Sequence, residues 1–232
     1  MTLALKRWQD AHRRVEEATR AAGRPPGSVR VLAVSKAFPA DAVRAVHGSG
    51  QRAFGENYVQ EALDKQALLG DLPGLEWHLI GPLQSNKARA AAHAFDWVET
   101  IDRPRIADRL SAARPPGAGP LDVLVQVNAS GEATKSGIAP SEALALARYV
   151  ATLPNLRLRG IMGIPEPTMD EARLRAQFRS LRACFDACAA AGLDVDTLSM
   201  GMSGDFEIAI DEGATQVRVG TAIFGERAGR RA

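Results

Sequence analysis

Lys36 ends a short apolar run, Val31-Leu32-Ala33-Val34-Ser35-Lys36, in a chain that has only five lysines, Lys6, Lys36, Lys65, Lys87 and Lys135, among its 29 lysines and arginines. A lysine retained where arginine is the default suggests amine chemistry rather than charge alone. An ammonium can lose its proton in a partly desolvated site and attack a carbonyl carbon, whereas a guanidinium stays charged. At the C-terminal end of a buried strand, such an amine can hold an aldehyde as a Schiff base. The alternative is a solvated loop lysine, and Lys36 by itself does not separate the two.

Two glycine-containing segments suit a phosphate. Met200-Gly201-Met202-Ser203-Gly204-Asp205 leads from an apolar run into a helical stretch starting near residue 204. A helix start presents unpaired N–H groups, and Ser203 adds a hydroxyl, although Ser203 can equally be a helix cap. Val219-Gly220-Thr221-Ala222 follows the last apolar run. Arg218 lies inside that run, where alternation sets Val217 and Val219 on one side and the arginine on the other. Pointing into a barrel it needs a partner; packed outward between helices it does not, and the pattern leaves both open. Cys184 and Cys188 stand four apart in a helical stripe, which suits two buried structural thiols and neither a CxxC pair nor a disulfide.

These residues are set by a regular alternation. Apolar runs occur at Val31–Val34, Arg52–Phe54, Trp77–Ile80, Trp97–Thr100, Val123–Val127, Leu158–Met162, Thr197–Met200 and Gln216–Val219. Between them, helical periodicity appears near 40–49, 57–69, 84–93, 103–113, 140–152, 168–191 and 204–212, and an amphipathic helix precedes the first run at about 2–22. Eight such repeats predict a single (β/α)8 TIM barrel over residues 1–232 with an extra N-terminal helix; a doubly wound open sheet is the runner-up. Both place ligands at the C-terminal strand ends. There the sequence sets Lys36, Gly55-Glu56-Asn57, Gly81-Pro82, Asp102, Asn128, Gly163, Gly201 to Gly204, and Gly220-Thr221. Turn chemistry explains the glycines without any ligand, but not the lysine or the arginine. The Pro- and Gly-rich stretch 113–120 is the best linker candidate, yet neither side of it would complete a sheet, so one domain is preferred.

With 46% hydrophobic residues the chain can bury a core without a disulfide or metal staple, and no metal site is expected. A net charge of +2, with acids and bases interspersed, argues against a nucleic-acid surface and fits a monomer. Arg227, Arg230 and Arg231 make a small basic tail. No signal peptide and no bilayer-length apolar run are visible, so no membrane association and a cytoplasmic location are expected.

In order along the chain, Leu32-Ala33-Val34-Ser35-Lys36, Phe54-Gly55-Glu56-Asn57-Tyr58-Val59-Gln60-Glu61, Trp77-His78-Leu79-Ile80-Gly81-Pro82-Leu83-Gln84-Ser85-Asn86-Lys87, Gln126-Val127-Asn128, Lys135-Ser136-Gly137, Gly160-Ile161-Met162, Leu198 to Ser203 and Val217 to Gly225 resemble the motifs of the pyridoxal phosphate (PLP) homeostasis proteins. That family is related in fold to the N-terminal barrel of alanine racemase. The resemblance implies that Lys36 holds PLP as a Schiff base. It also implies that Ser203, Gly220 and Thr221 cradle the phosphate, that Arg218 faces the pyridine nitrogen, and that Asn57 and Met200 line the cofactor. His78 is expected to be a satisfied core histidine, and the roles of Lys87 and Lys135 stay open between a secondary PLP contact and solvation. Gly204-Asp205-Phe206-Glu207 departs from a segment usually richer in acidic residues, which leaves Ser203 untouched.

An arginine at the pyridine nitrogen disfavours the pyridinium and makes the ring a poorer electron sink. The resemblance therefore implies a carrier with no catalytic residues, which buffers PLP and delivers it transiently to apo-forms of PLP enzymes. An amino-acid racemase is the alternative. It would need a second base, a tyrosine supplied with help from a further domain, and the sequence has only Tyr58 and Tyr149 and a short tail after Gly225. A cofactor-free Schiff-base aldolase is a third reading of the same lysine.

Overall fold

The computed structural model describes residues 3–130 and 136–226. Lys135 and the arginines of the C-terminal tail lie outside them. Strands β1 (Arg30–Val34), β2 (Ala53–Glu56), β3 (Glu76–Leu79), β4 (Trp97–Ile101), β5 (Leu121–Val127), β6 (Leu156–Gly163), β7 (Thr197–Met202) and β8 (Gln216–Val219) each pair in parallel with the next, and β8 pairs with β1. The sheet is therefore a closed barrel, and the open-sheet alternative is removed by the β1–β8 register, Leu32 opposite Arg218 and Ala33 opposite Val219.

Strands buried on both sides carry apolar residues at successive positions, because one set meets the surrounding helices and the other fills the lumen. Val31, Ala33, Val98, Val123, Val125, Val217 and Val219 pack outward with the helices in one large cluster. Leu32, Val34, Ala53 and Ile80 form one separate cluster, and Trp97, Leu124 and Met162 another. The buried strand positions also include a polar set, among them His78, Glu99, Ser199, Gln216 and Arg218.

The helices are α1 (Leu3–Ala21), α2 (Ala40–His47), α3 (Val59–Leu68), α4 (Ala88–Ala94), α5 (Pro104–Ala113), α6 (Ala143–Ala151), α7 (Glu171–Ala190), α8 (Phe206–Asp211) and α9 (Thr221–Phe224). The extra helix α1 packs against α8, α9 and α2 through Ala11 and Val15, and the Trp8 indole donates to Gln51 Oε1 at 3.0 Å. Two expectations need adjustment. The helix expected from residue 204 starts at Phe206, because Met202–Asp205 forms a turn in which Asp205 N–H donates to the Met202 carbonyl at 3.1 Å. The short helix α9 has too few residues for helical periodicity to reveal it.

The linker candidate is a turn from α5 into β5. Arg114 anchors it by donating to the carbonyls of Ala92 and Phe95 at 2.7 and 2.8 Å. Cys184 and Cys188 are both buried on α7 and unbonded to each other, and burial raises the Cys188 thiol to about 11, so both are held as thiols. Among the described residues, no helix is long and apolar enough to cross a membrane.

Candidate functional site

Parallel closure brings the segments after β1, β2, β3, β6, β7 and β8 to one mouth. A cavity of about 330 Å³ opens there, lined by Val34, Lys36, Asn57, Ile80, Ile164, Met202, Ser203, Gly204, Arg218, Gly220 and Thr221. Six of the seven residues singled out in the sequence thus meet in one place. The seventh, Met200, does not: it is fully buried in the core shared with the helices. Ser199 points into the barrel and Met200 away from it. After Met200 the β7–β8 register shifts and Gly201 takes φ 90°, so that Met202 takes the lining position expected of Met200. A larger groove of about 580 Å³ lies between α4 and α5, away from the strand ends, with exposed Arg89 and Arg109 in its wall.

Ser203 is not the cap of α8. Its Oγ accepts from the backbone N–H groups of Gly220, at 3.2 Å, and Ala222, at 3.4 Å. The turn after β7 is thereby tied to the turn after β8, and an oxygen already sits where two amides converge. Together with the Thr221 hydroxyl, these donors suit an anion. Asn57 is placed by a close backbone approach: a Cβ on Gly81 would lie 2.2 Å from the Asn57 carbonyl oxygen, so only glycine fits there.

Arg218 points into the barrel and is 3% exposed. Its Nη1 donates to the Ser199 carbonyl at 2.7 Å and to Ser199 Oγ at 2.8 Å, and its Nη2 donates to the Gly163 carbonyl at 2.9 Å. Behind it runs a ladder of buried polar groups. Ser199 Oγ and Gln216 Nε2 each donate to the Glu99 carboxylate at 2.7 Å, and His78 Nδ1 lies 2.7 Å from Glu99 Oε1. His78 Nε2 lies 2.6 Å from Glu76 Oε1, and Glu76 pairs with Arg30 at the far end of the barrel. The His78 ring also stacks on Trp97, with centroids 5.0 Å apart. The charges therefore alternate along the ladder, which offsets the cost of burying each of them.

Burial pushes His78 down, but hydrogen bonds and charge from Glu76 and Glu99 outweigh it and raise its pKa above 6.5. Burial pushes Glu76 and Glu99 up, but His78 outweighs it, helped by Arg30 and Arg218 respectively, and Glu76 falls to about 2. For Arg218 burial dominates and lowers the pKa against the charges of Glu99 and Asp205. The signs define a stability window. The carboxylates contribute fully above their unfolded value of 4.5 and lose that contribution as the pH falls through their lowered folded values, about 2 for Glu76. His78 contributes fully below 6.5 and loses its contribution as the pH rises through its folded value. The Tm advantage of the wild type over His78→Gln is expected to be greatest between those limits and to shrink on both sides. A gap that is flat with pH would contradict a charged His78.

Sequence reading missed Glu99, Ser199 and Gln216. A signal was present: Glu99 interrupts Trp97-Val98-Glu99-Thr100-Ile101, and a carboxylate inside a buried strand requires a partner. Among the described residues, no cluster of His, Cys, Asp and Glu is arranged to hold a metal ion.

A closed parallel barrel with a lysine, an arginine and an anion cradle at the mouth defines a class, and the model of the alanine racemase N-terminal domain matches residues 9–228 of this chain. The pyridoxal phosphate homeostasis protein of Pseudomonas aeruginosa is 59% identical over 214 residues, covering 92% of this chain and 91% of that protein. The structure of PipY of Synechococcus elongatus with PLP bound is similar with a TM-score of 0.79 and 39% identity, over 91% of this chain and all of that one. An alanine racemase from Corynebacterium glutamicum shares the fold, with a TM-score of 0.68 and 19% identity over 98% of this chain and 63% of that chain. The chain belongs to the family of pyridoxal phosphate homeostasis proteins.

Proposed function

We propose that this protein binds pyridoxal 5′-phosphate as a Schiff base on Lys36 and acts in intracellular PLP homeostasis, buffering the aldehyde and passing it to apo-enzymes. The residues at the mouth fit the group. Gly220, Ala222, Ser203 and Thr221 offer donors for the phosphate, Val34, Ile80, Ile164 and Met202 offer apolar surface for a flat ring, Asn57 lines the cavity, and Arg218 provides a fixed cation for the ring nitrogen. Lys36 would be the amine that condenses with the aldehyde PLP would supply, with one water released. Arg218 is anchored by three hydrogen bonds from its guanidinium, and a cation so held would disfavour protonation of the ring nitrogen.

The observation that favours a carrier over an enzyme is the poverty of acid–base groups at the cavity. Among the described residues, Lys36 and Arg218 are the ionisable side chains of its lining. Tyr58 is 65% exposed and lines a neighbouring groove with Lys87, while the Tyr149 hydroxyl donates to Asp108 on the outer layer of helices. Neither supplies the second base that racemisation requires. We place the protein in the cytoplasm as a monomer.

Incubation with PLP, borohydride reduction and peptide mass analysis tests the reading. A pyridoxyl phosphate adduct on the Lys36 peptide is expected, with no deuterium exchange at Cα of added alanine or serine. An adduct confined to other lysines would remove the role of Lys36, and rapid exchange would replace the carrier by a racemase.

A further inference from the structure

Lys65 is a second lysine in an arginine-rich chain that the cavity does not use, and it is 5% exposed. It lies on α3, one turn after Glu61 and on the same helix face. Its ammonium donates to the Glu56 carboxylate at 2.6 Å, to the Ser35 carbonyl at 2.7 Å and to the Glu61 carboxylate at 2.8 Å. Three oxygens from three chain segments use all three of its donors, an arrangement that suits a tetrahedral ammonium and not a planar guanidinium. Ser35 Oγ donates to the same Glu56 oxygen at 2.6 Å, and the Ala37 N–H donates to the same Glu61 oxygen at 2.5 Å.

The two ends of this cluster therefore hold the residues on either side of Lys36. Ala37 has φ 64°, one of two non-glycine residues with positive φ among those described. A left-handed alanine is strained and persists only where its surroundings impose it. Here the imposed feature is a turn whose middle residue is the lysine of the site.

Resting on the reading of Lys36 given above, we infer that Lys65, Glu56 and Glu61 are positioning residues: they clamp Ser35 and Ala37 and so aim the Lys36 amine into the cavity before an aldehyde arrives. The cluster does not touch the ligand. Its effect is preorganisation, so its loss changes how fast and how tightly Lys36 captures PLP.

The test compares wild-type protein with Glu61→Ala, Glu61→Gln and the double variant Glu56→Gln with Lys65→Met, which removes both buried charges together. Each is measured for the rate of reductive trapping of PLP on Lys36 across pH, for Tm, and for hydrogen exchange at the Ala37 amide without ligand. Glu61→Ala is expected to slow trapping roughly tenfold and to abolish protection of the Ala37 amide, with Tm nearly unchanged because Glu61 is partly exposed. Glu61→Gln, which keeps an acceptor for that amide, is expected to recover most of both. The double variant is expected to trap slowly with an altered pH profile while remaining folded. Wild-type trapping rate, pH profile and amide protection in Glu61→Ala would overturn the clamp, as would slowing that merely follows loss of folded protein. Absence of any adduct on wild-type Lys36 would instead defeat the underlying reading, and amide exchange would still report on the clamp.

Discussion

Lys36→Ala protein is expected to carry no pyridoxyl phosphate after incubation with PLP and borohydride, and to bind PLP at least about a hundredfold more weakly than the wild type, ~2.7 kcal/mol. The physical reason is that the remaining contacts, from Ser203, Gly220, Thr221 and Arg218, can hold a phosphate and a ring but form no bond to the aldehyde carbon. Lys36→Arg is expected to do no better despite keeping the charge, because a guanidinium is not a nucleophile at neutral pH. Lys36 lies at the cavity mouth and is only half-buried, so either change is expected to alter stability by no more than about 0.5 kcal/mol. Absorbance titration with PLP, beside thermal denaturation of the same samples, checks both statements. A Lys36→Ala protein that binds PLP as tightly as the wild type would show that the anion cradle, and not the amine, governs capture.

Gly160→Ala is expected to be the most damaging single methyl group that can be added to the barrel. Gly160 has φ 144° in the middle of β6, and a Cβ there would lie 2.0 Å from the Thr197 carbonyl oxygen and 3.3 Å from the Phe185 ring. Thr197 is its partner in the β6–β7 register, so the clash falls on a backbone that cannot move without breaking the pairing. The strand is already irregular at this point: Val123 faces Leu158 and Leu124 faces Gly160, so Arg159 is an extra residue on β6. The strained φ and the overlap together are expected to cost about 4 kcal/mol or more, enough to consume much of the stability of an ordinary domain. Urea denaturation of the purified variant, or its absence from the soluble fraction, measures this. A midpoint within about 0.5 M of the wild type would mean that β6 can shift where the register says it cannot.

The repeat of apolar run and helix was legible because period-2 and period-3.6 patterns are local, and each of the eight runs became a strand of the barrel. The ends of elements were less legible. α9 has four residues and leaves no periodic trace, and α8 starts late because Asp205 serves a turn. Met200 shows the limit at a finer scale. Its motif pointed to the ligand, but alternation along β7 turns it outward, and the register shift after it, with Gly201 at φ 90°, sets Met202 at the mouth.

The sequence by itself determined the strand–helix order, the lysine at the end of the first strand, and the glycine turns after the last two. These depend on neighbours within a few residues. Closure of the barrel, the inward direction of Arg218, the Glu99–His78 ladder and the three-oxygen seat of Lys65 were decided by the tertiary structure alone. Each depends on how separate elements meet in the closed barrel, in the ladder across long stretches of chain: Ser199 reaches Glu99 across a separation of 100 residues, and Gln216 across 117. A buried charge must find its partner wherever the fold brings one, and sequence spacing carries no record of that distance.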